Sequence, residues 1–382
     1  MNKKRMAFID LSNFHDWPMG GMLEYERALL ENLTNSFDID IWGVSVNGEA
    51  PTPITINGKT YPINIFTNVV TKGKFKIVPN FWKGLLLATK KKKISKQYDY
   101  IYAHTASCLV GIAIIEKGAK LVYHQHGLNF KDDKSLTMLV QRPFYVLAQK
   151  VANTVFVVSD DDSVKNYERV MRNKYHVKAS YHSVKSPIYL ERFDEDRVLS
   201  KISNTKKINN FLYTGRLTAY KNAKFLLEVF NLYVKRKNPM AKFIIAGSGT
   251  EEEILRKKIR DYSLEDNVTI LGAVKHDEIY RLLEKTDVFM TASSGEGVSV
   301  SVAEAYAAGV PVLCFKVPGL EKQVIDGVTG KITKNKSVEE FYNSLLYVIE
   351  NYKELAFNCV NESKNYDSYR ISKFIEECII QD

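Results

Sequence analysis

Cysteine is scarce in this sequence, and no long apolar run interrupts it. The four cysteines among 382 residues, Cys108, Cys314, Cys359 and Cys378, form no C-x-x-C pair and show no histidine spacing typical of zinc. We therefore expect buried, reduced thiols rather than a disulfide framework or a zinc site. No stretch approaches the roughly 18 consecutive apolar residues of a membrane-spanning helix, and the run Met6 to Leu11 is too short for the core of a signal peptide. These absences favour a cytosolic protein.

Composition and charge indicate an ordinary folded protein that has an anionic partner. Hydrophobic residues make up 45% of the sequence and charged residues 26%, which excludes a disordered chain. The length suits two domains of roughly 150 to 200 residues. Because the formal net charge is +10, nucleic acid, anionic lipid and a diphosphate-bearing substrate are all candidate partners.

The first half alternates strand-like and helix-like segments, the pattern of a doubly wound α/β layer. The pattern predicts a buried strand from Arg5 to Leu11, a helix from about Met22 to Asn35 and a strand from Ile39 to Val46. Gly20 and Gly21 stand at the start of that helix, where glycines let a ligand's phosphate approach closely. A turn that merely requires a positive φ explains the same pair equally well.

The segment 79–96 mixes aromatic residues with a basic run. Phe81 and Trp82 are followed by the lysines from Lys90 to Lys93. This composition is typical of a helix that lies on an anionic membrane surface. It is also compatible with the solvated end of a helix in an α/β domain.

Histidines lie at or just after the ends of two predicted strands. Tyr98 to Ala103 is followed by His104, and Lys120 to Gln125 is followed by His126. Because the carboxyl ends of parallel strands line the crevice of an open α/β sheet, both histidines are placed where a ligand would lie. A structural histidine is the alternative at each position, and we prefer it for His104 and His124.

Three aspartates, Asp160 to Asp162, follow the predicted strand Thr154 to Val158. Their D-x-D pattern could hold a divalent metal. They also stand at the start of a helix, where acidic side chains cap the N–H groups and interact favourably with the helix dipole. We prefer the capping interpretation and predict no essential metal.

After His182 the alternation gives way to a proline and a dense set of charges, which we interpret as the interdomain linker. The second domain then begins with a predicted strand from Asn210 to Tyr213. The next loop carries two cations, Arg216 and Lys221, before a helix from about Ala223. Arginine offers a planar fork to phosphate oxygens, and lysine offers a mobile point charge.

The stretch from Ser293 to Val312 combines an anion site with two carboxylates. It follows a strand-like run and reads S-S-G-E-G-V-S-V-S-V-A-E-A-Y-A-A-G-V-P-V, which predicts a glycine-flanked turn and a short helix. Unpaired N–H groups and the dipole at such a helix start attract anions. Glu296 and Glu304 would repel phosphate but accept hydrogen bonds from hydroxyls. A nucleotide sugar supplies both the phosphates that suit the helix start and the hydroxyls that suit the glutamates. Alternatively, Ser301 is the N-cap and forms a capping box with Glu304.

The spacing of these glutamates resembles the E-x7-E signature of glycosyltransferase family 4, the retaining enzymes with GT-B architecture. The resemblance includes the G-R-L-x-x-x-K element around Arg216 and Lys221 and the His-Gly element at His126. It implies an α/β fold of two Rossmann-like, doubly wound parallel-sheet domains that face a central cleft. The expected parts are an acceptor-binding domain (1–184), a donor-binding domain (185–365) and a C-terminal helix (366–382) that packs back on the first domain.

The resemblance also implies a role for each motif residue. Glu296 would meet the hydroxyls of the donor sugar, and Glu304 would meet those of the ribose. Arg216 and Lys221 would hold the donor diphosphate, and His126 would lie near the donor sugar and the reaction centre. The other donor-binding positions are Gly20, Gly21, Val274, Gly297, Val298 and Ser299.

The implied reaction moves a hexose or N-acetylhexosamine from a nucleoside-diphosphate sugar, preferably a UDP-sugar, to an acceptor hydroxyl with retention of configuration. No cofactor and no metal are expected. No carboxylate is placed as a nucleophile, so the donor's phosphate would help to deprotonate the acceptor. Family members with lipid-linked acceptors commonly carry a basic patch like the one in segment 79–96. The expectation is therefore a lipid-linked or cell-envelope glycan acceptor and peripheral contact with the inner face of the cell membrane.

Two other functions fit parts of the sequence. A nucleotide-sugar epimerase shares the architecture but depends on further acid and base groups, and it would exchange a sugar C–H with deuterated water without an acceptor. A basic nucleic-acid binder fits the charge, but the sequence lacks aromatic and basic residues interleaved on a recognised module, so no nucleic acid is expected.

Overall fold

The protein consists of two compact units. The computed structural model describes residues 3–15, 21–70, 97–114, 118–128 and 136–382. Unit 1 comprises Met1–Pro187 and Ser368–Asp382, and unit 2 comprises Ile188–Asp367. The boundaries predicted from the sequence lie after residues 184 and 365, and those in the structure lie after Pro187 and Asp367.

Unit 1 is built on a parallel sheet. Its strands are β1 (Lys4–Ile9), β2 (Phe37–Val46), β3 (Ile54–Ile56), β4 (Lys59–Tyr61), β5 (Ile63–Val69), β6 (Tyr100–Ala103), β7 (Lys120–Gln125), β8 (Thr154–Val158) and β9 (Ser180–Val184). Seven of them pair in parallel in the order β5-β2-β1-β6-β7-β8-β9, while β3 and β4 form a separate antiparallel hairpin. The last four residues of β1 are fully buried, as expected for a parallel strand covered on both faces.

Unit 2 repeats this architecture. Its strands are β10 (Asn210–Thr214), β11 (Lys242–Ala246), β12 (Val268–Gly272), β13 (Val288–Thr291), β14 (Val312–Phe315) and β15 (Gly330–Thr333). They form one sheet in the order β12-β11-β10-β13-β14-β15, and every pair is parallel. Two doubly wound parallel sheets are therefore present, as the sequence predicted.

Helices cover the sheets. In chain order the described helices are α1 (Gly21–Leu33), α2 (Ala106–Ala113), α3 (Leu136–Val151), α4 (Asp161–Tyr175), α5 (Glu195–Asn204), α6 (Ala223–Arg236), α7 (Glu252–Asp261), α8 (His276–Glu284), α9 (Val300–Ala307), α10 (Leu320–Gln323), α11 (Val338–Glu350), α12 (Tyr352–Ser363) and α13 (Ser368–Gln381). None of the helices in the described residues is both long and apolar enough to cross a membrane. The basic segment with Phe81, Trp82 and Lys90 to Lys93 lies outside the described residues.

The C-terminal helix α13 belongs to unit 1 and packs against α1. Asn32 Nδ2 lies 3.4 Å from Ser368 Oγ at the start of α13. At its other end, Thr154 Oγ1 donates to Asp382 Oδ2 over 2.9 Å. The return of the chain to the first unit, which the resemblance implied, is thus present in the structure.

Asp160 is the N-cap of α4, because its side chain accepts a hydrogen bond from the N–H of Ser163 over 3.0 Å. Asp161 and Asp162 occupy the first turn, where negative charge is favourable. The structure therefore confirms the capping interpretation of the three aspartates.

The predicted linker after His182 is partly wrong. His182 lies within β9, which continues to Val184, and the charged residues from Glu195 onward form α5. Asp194 caps this helix, and its acidic first turn explains the local density of charge. Val198 and Ile202, one turn apart, are buried on its inner face. The charge run is therefore an amphipathic helix start rather than an irregular connection.

Each sheet has a point where the strand order reverses. In unit 1 the chain passes from β1 to β2 on one side and returns to β6 on the other, and in unit 2 the same change occurs between β10 and β13. The loops that follow these neighbouring strands diverge, which leaves a crevice at the carboxyl ends of the strands. These are the positions where open α/β sheets bind ligands.

Glycines fix the loop after β10 against the loop after β11. A Cβ at Gly247 would lie 1.8 Å from the carbonyl oxygen of Gly215, and a Cβ at Gly249 would lie 2.3 Å from that of Leu217. The close approach is held by backbone bonds from Gly215 N–H to Ala246 O and from Leu217 N–H to Ser248 O. The G-S-G turn thus positions the loop that carries Arg216.

We predict that Gly247→Ala destabilises unit 2 much more than Gly272→Ala does. At Gly272, with φ of +74° and open space around a Cβ, alanine costs only the backbone strain, about 1–2 kcal/mol. At Gly247 the same side chain also collides with a backbone oxygen, so we expect about 2–5 kcal/mol. Urea denaturation followed by circular dichroism measures both. Equal losses for the two variants would contradict the packing role of Gly247.

Candidate active site

An ion pair joins the two loops that flank the strand-order reversal in unit 2. Lys221, after β10, places its Nζ against Oε1 of Glu296, after β13. Both side chains are mostly buried, with 20% and 17% exposure. Ser293, which is fully buried, donates its hydroxyl to the same Glu296 oxygen over 2.8 Å. The structure thus brings together a predicted phosphate-binding cation and the predicted sugar-binding carboxylate.

Backbone contacts hold the Glu296 turn on both sides. Ser294 N–H donates to the carbonyl of Tyr220 over 2.9 Å, and the Tyr220 hydroxyl lies so close to Gly295 that a Cβ there would be 2.2 Å from it. On the other side Gly319 N–H donates to the carbonyl of Glu296 over 3.1 Å. A Cβ at Gly319 would lie 1.9 Å from the carbonyl oxygen of Gly297. Glycine is therefore required at position 319, where a Cβ would collide with backbone, whereas a Cβ at position 295 would displace only the exposed Tyr220 side chain.

The helix after this turn, α9, is anchored at both ends. At its start the Gln323 side chain accepts from Ser299 N–H and donates to Ser299 O, each over 2.8 Å. At its end Lys201 donates to the carbonyls of Ala308 and Thr286 over 3.1 and 2.9 Å. Burial lowers the pKa of Lys201 to about 8. These bonds fix the position of α9.

The start of α9 keeps most of the anion site that the sequence predicts. Ser299 N–H pairs with Gln323, but the Ser299 side chain caps none of the N–H groups in the first helical turn. Gly297 faces open space, since a Cβ there would meet nothing within 4 Å, and Val298 is half-buried. The N–H groups at this helix start therefore stay a predicted anion site.

Glu304 lies in α9 and is buried, with 2% of its surface exposed. The capping-box alternative is wrong, because the helix starts at Val300 with Ser299 as the N-cap residue, so Ser301 lies inside it. Instead, Oε1 of Glu304 lies 2.6 Å from Nε2 of His276, the first residue of α8. Sequence reasoning missed His276, although its position after β12 was a signal for it.

Arg216 and Val274 occupy loops at the same edge of the sheet. Arg216 is exposed, its carbonyl accepts a hydrogen bond from the Tyr213 hydroxyl, and its guanidinium makes no ion pair within the described residues. Val274 lies between β12 and α8, where its side chain packs on the core of unit 2. Both remain predicted donor-binding residues.

Three histidines form a stack at the carboxyl ends of β6 and β7 in unit 1. The rings of His104, His124 and His126 lie with centroids 4.7 to 5.1 Å apart. Nδ1 of His104 is 2.7 Å from Nε2 of His126. His124 lies between two tyrosines, with Nε2 2.7 Å from the Tyr25 hydroxyl and Nδ1 bonded to that of Tyr102. His126 is therefore one member of a packed cluster.

Burial keeps this cluster uncharged. Desolvation lowers the pKa of His104 and His124 well below the usual histidine value, and it lowers the pKa of His126 to about 4. It also raises the pKa of Tyr25 and Tyr102 well above 10. At neutral pH the histidines act as hydrogen-bonding groups without a charge.

A buried carboxyl pair lies beside the histidines and was not predicted. Asp10 follows β1 and accepts from Thr105 Oγ1 over 2.8 Å, a bond that spans the strand-order reversal. Glu26, fully buried in α1, accepts from Ser12 Oγ over 3.2 Å. Desolvation raises the pKa of both carboxyls, and Asp10 raises that of Glu26 further. A proton shared between them is the arrangement that burial favours.

The predicted glycines of unit 1 lie only partly within the described residues. Gly20 is outside them, and Gly21 is the first residue of α1. Glu24 occupies the first turn of this helix.

The sequence of unit 2 is similar to a known family. Residues 194–366, which make up most of this unit, match the family model of the glycosyl transferases group 1. An uncharacterized glycosyltransferase of Haemophilus influenzae is 30% identical over 181 residues, which are 47% of this chain and 49% of that protein. The chain thus spans about half the length of this relative.

Other comparisons extend over both units. The UDP-Gal:alpha-D-GlcNAc-diphosphoundecaprenol alpha-1,3-galactosyltransferase of Escherichia coli is 24% identical over 295 residues, 73% of this chain and 74% of that protein. The crystal structure of Anabaena HepE in complex with UDP and glucose has a TM-score of 0.70 and 21% identity, and the match covers 98% of this chain and 99% of that one. This likeness confirms the predicted fold class, and the group 1 match confirms the prediction of a glycosyltransferase for unit 2.

We predict that acid weakens unit 1 through the histidine stack. The pKa of His126 is about 4 in the folded state and about 6.5 in an unfolded chain, so the unfolded state binds more protons between these values. The stabilisation is present above pH 6.5 and is lost as the pH falls toward 4, by about 1.4 kcal/mol per pH unit. In His126→Asn this contribution is absent, so its free energy of unfolding should change less over that range.

The measurement is urea denaturation followed by tryptophan fluorescence, because all three tryptophans of the sequence lie in unit 1. Asp10 and Glu26, whose pKa values are raised, have the opposite pH dependence, but they are common to both proteins and cancel in the difference. Parallel curves for wild type and His126→Asn between pH 4 and 6.5 would show that His126 is not held neutral.

Proposed function

We propose that the chain transfers a hexose or N-acetylhexosamine from a UDP-sugar to an acceptor hydroxyl as a retaining, metal-independent member of glycosyltransferase family 4. The observation that carries this proposal is the Lys221–Glu296 pair beside the exposed Arg216 at the strand-order reversal of unit 2. Two cations and a carboxylate at one edge of a sheet suit a ligand that is anionic in one part and rich in hydroxyls in another.

The donor diphosphate is assigned to Arg216 and Lys221. The Arg216 guanidinium can bind two phosphate oxygens, and Lys221 is already held in place by Glu296. Because Lys221 keeps the Glu296 carboxylate oriented, the free oxygen of Glu296 accepts bonds from the sugar hydroxyls next to the diphosphate. Gly297 and Val298 contribute the open backbone at the start of α9, whose dipole also favours the anion.

We assign the retention of the anomeric configuration to a front-face displacement. The bond between the anomeric carbon and the phosphate oxygen breaks, a bond from that carbon to the acceptor oxygen forms on the same face, and the acceptor proton passes to the departing diphosphate. Glu296 is bonded to Lys221 and Ser293. A carboxylate held in this way suits a group that accepts hydrogen bonds from the sugar hydroxyls rather than a nucleophile. Arg216 and Lys221 stabilise the charge that develops on the diphosphate, the task that a metal would otherwise perform.

The acceptor is assigned to a lipid-linked or cell-envelope glycan. The name of the E. coli relative states a diphosphoundecaprenol acceptor, which supports a lipid-linked acceptor here. The sequence pattern of Phe81, Trp82 and the lysines from Lys90 to Lys93 is typical of contact with an anionic membrane surface.

The activity test compares Arg216→Ala, Lys221→Ala and Glu296→Gln with wild type in release of UDP from a panel of UDP-sugars. We expect both cation variants to lose about 10²–10³ in kcat/KM, because each removes a charge that stabilises the leaving diphosphate. Glu296→Gln should lower the turnover number strongly and the melting temperature only slightly.

Arg256→Ala is the matched control for Arg216→Ala. Arg256 is a half-exposed arginine of α7 that pairs with Glu252, and its removal should leave the rate unchanged. Wild-type rate in Arg216→Ala would refute the diphosphate assignment. Addition of EDTA should leave the wild-type rate intact, and NMR of the product should show the anomeric configuration of the donor; loss of activity or an inverted product would contradict those parts of the proposal.

The membrane contact has a separate test. Replacement of Lys90 to Lys93 by glutamine should lower co-sedimentation with phosphatidylglycerol vesicles at least tenfold, because each lysine near an anionic surface contributes about 1 kcal/mol. A control variant removes four exposed lysines of unit 2, namely Lys206, Lys207, Lys235 and Lys237. Equal losses in the two variants would show that only net charge matters.

A further inference from the structure

His276 is a side chain of the candidate site to which no role has been assigned. It is the first residue of α8, directly after the loop that follows β12, and 23% of its side chain is exposed. Its Nε2 lies 2.6 Å from Oε1 of Glu304 and 3.0 Å from the Tyr280 hydroxyl. A bare nitrogen lone pair at this distance would repel the carboxylate oxygen, so we assign the hydrogen to Nε2, on the side of the ring that faces Glu304.

The position of the imidazole is fixed by its surroundings. The ring packs edge-on against Tyr280, with centroids 5.0 Å apart and an interplanar angle of 81°. The start of α8 is held by Glu278, whose carboxylate accepts from Lys275 N–H over 3.2 Å. Since α9 is itself anchored by Gln323 and Lys201, donor and acceptor are both rigidly placed.

Glu304 needs this donor. A carboxylate with 2% exposure is costly to bury unless it is hydrogen-bonded. Among the described residues His276 is the polar group that lies against this side chain, and its Nε2 is 2.6 Å from one oxygen, Oε1. The second oxygen, Oε2, has no donor within the described part of the chain, so it can accept from a ligand.

We propose that His276 is a positioning residue that orients the Glu304 carboxylate toward the ribose of the donor nucleotide. The inference rests on the proposed function and on the role that the family resemblance implies for Glu304, which is to accept hydrogen bonds from the ribose hydroxyls. By holding Oε1, His276 fixes the carboxylate plane and presents Oε2 to the 2′- or 3′-hydroxyl. His276 acts on the nucleotide through Glu304, so it governs discrimination between ribose and deoxyribose rather than the chemical step.

The experiment measures the affinity of UDP, 2′-deoxy-UDP and 3′-deoxy-UDP by calorimetry for wild type, His276→Phe and His276→Gln. A hydroxyl bonded to a buried carboxylate should give wild type a preference of about 10- to 100-fold for UDP over one of the deoxy forms. His276→Phe keeps the packing against Tyr280 but removes the donor, so this preference should shrink to about twofold. His276→Gln places an amide N–H near the position of Nε2 and should restore most of it.

A different result is expected if His276 only holds α8 and α9 together. In that case His276→Phe would lower the melting temperature of the free protein but keep the full preference for ribose, and the inference would be overturned. If wild type binds UDP and both deoxy forms equally, Glu304 does not bind the ribose hydroxyls, and the inference is also overturned. If wild type does not bind UDP, the proposed function itself fails. Loss of the preference in His276→Phe with recovery in His276→Gln supports the inference.

Discussion

The ion pair between Lys221 and Glu296 is the contact on which the arrangement of unit 2 depends. It joins the loops after β10 and β13 at the point where the strand order reverses. A single charge this deeply buried would be costly, but the pair is neutral as a whole and Ser293 satisfies the carboxylate further. Gly319 serves this contact, because a side chain there would collide with the backbone of Glu296 and Gly297. The result is a preformed edge of the sheet that offers positive charge and a carboxylate that can accept hydrogen bonds from hydroxyls.

Unit 1 has a similar strand order but places a hydrogen bond to a carboxyl group, rather than an ion pair, at the corresponding point. Thr105 donates to Asp10 across the strand-order reversal, and Asp10 shares its environment with the buried Glu26. The neighbouring histidines are neutral because burial lowers their pKa values. Full burial explains the difference between the units, since an isolated charge in such a place would be neutralised by a shift of its pKa. Unit 1 therefore offers hydrogen-bonding groups, whereas unit 2 offers charges.

Local signals in the sequence were sufficient for most elements. Apolar runs bounded by polar residues predicted β7 and β8 with the bounds that the structure shows, and the aspartates after β8 predicted the cap of α4. The charges after Asp194 were interpreted as a linker because a short amphipathic helix with two inward residues resembles an irregular charged segment. Ser301 was an equally good N-cap by pattern, and the packing of Gln323 on Ser299 places the helix start two residues earlier. Such choices depend on a partner that is distant in sequence.

The sequence by itself determined the two α/β layers and the loops that carry the polar residues, because periodicity and turn residues act over a few neighbouring positions. Only the tertiary structure decided which polar groups meet. Lys221 meets Glu296, His276 meets Glu304, and Thr105 meets Asp10 because different strands end at the same edge of a sheet. Hydrogen bonds form within about 3 Å, and distances of that size are set by the packing of loops against one another rather than by spacing along the chain.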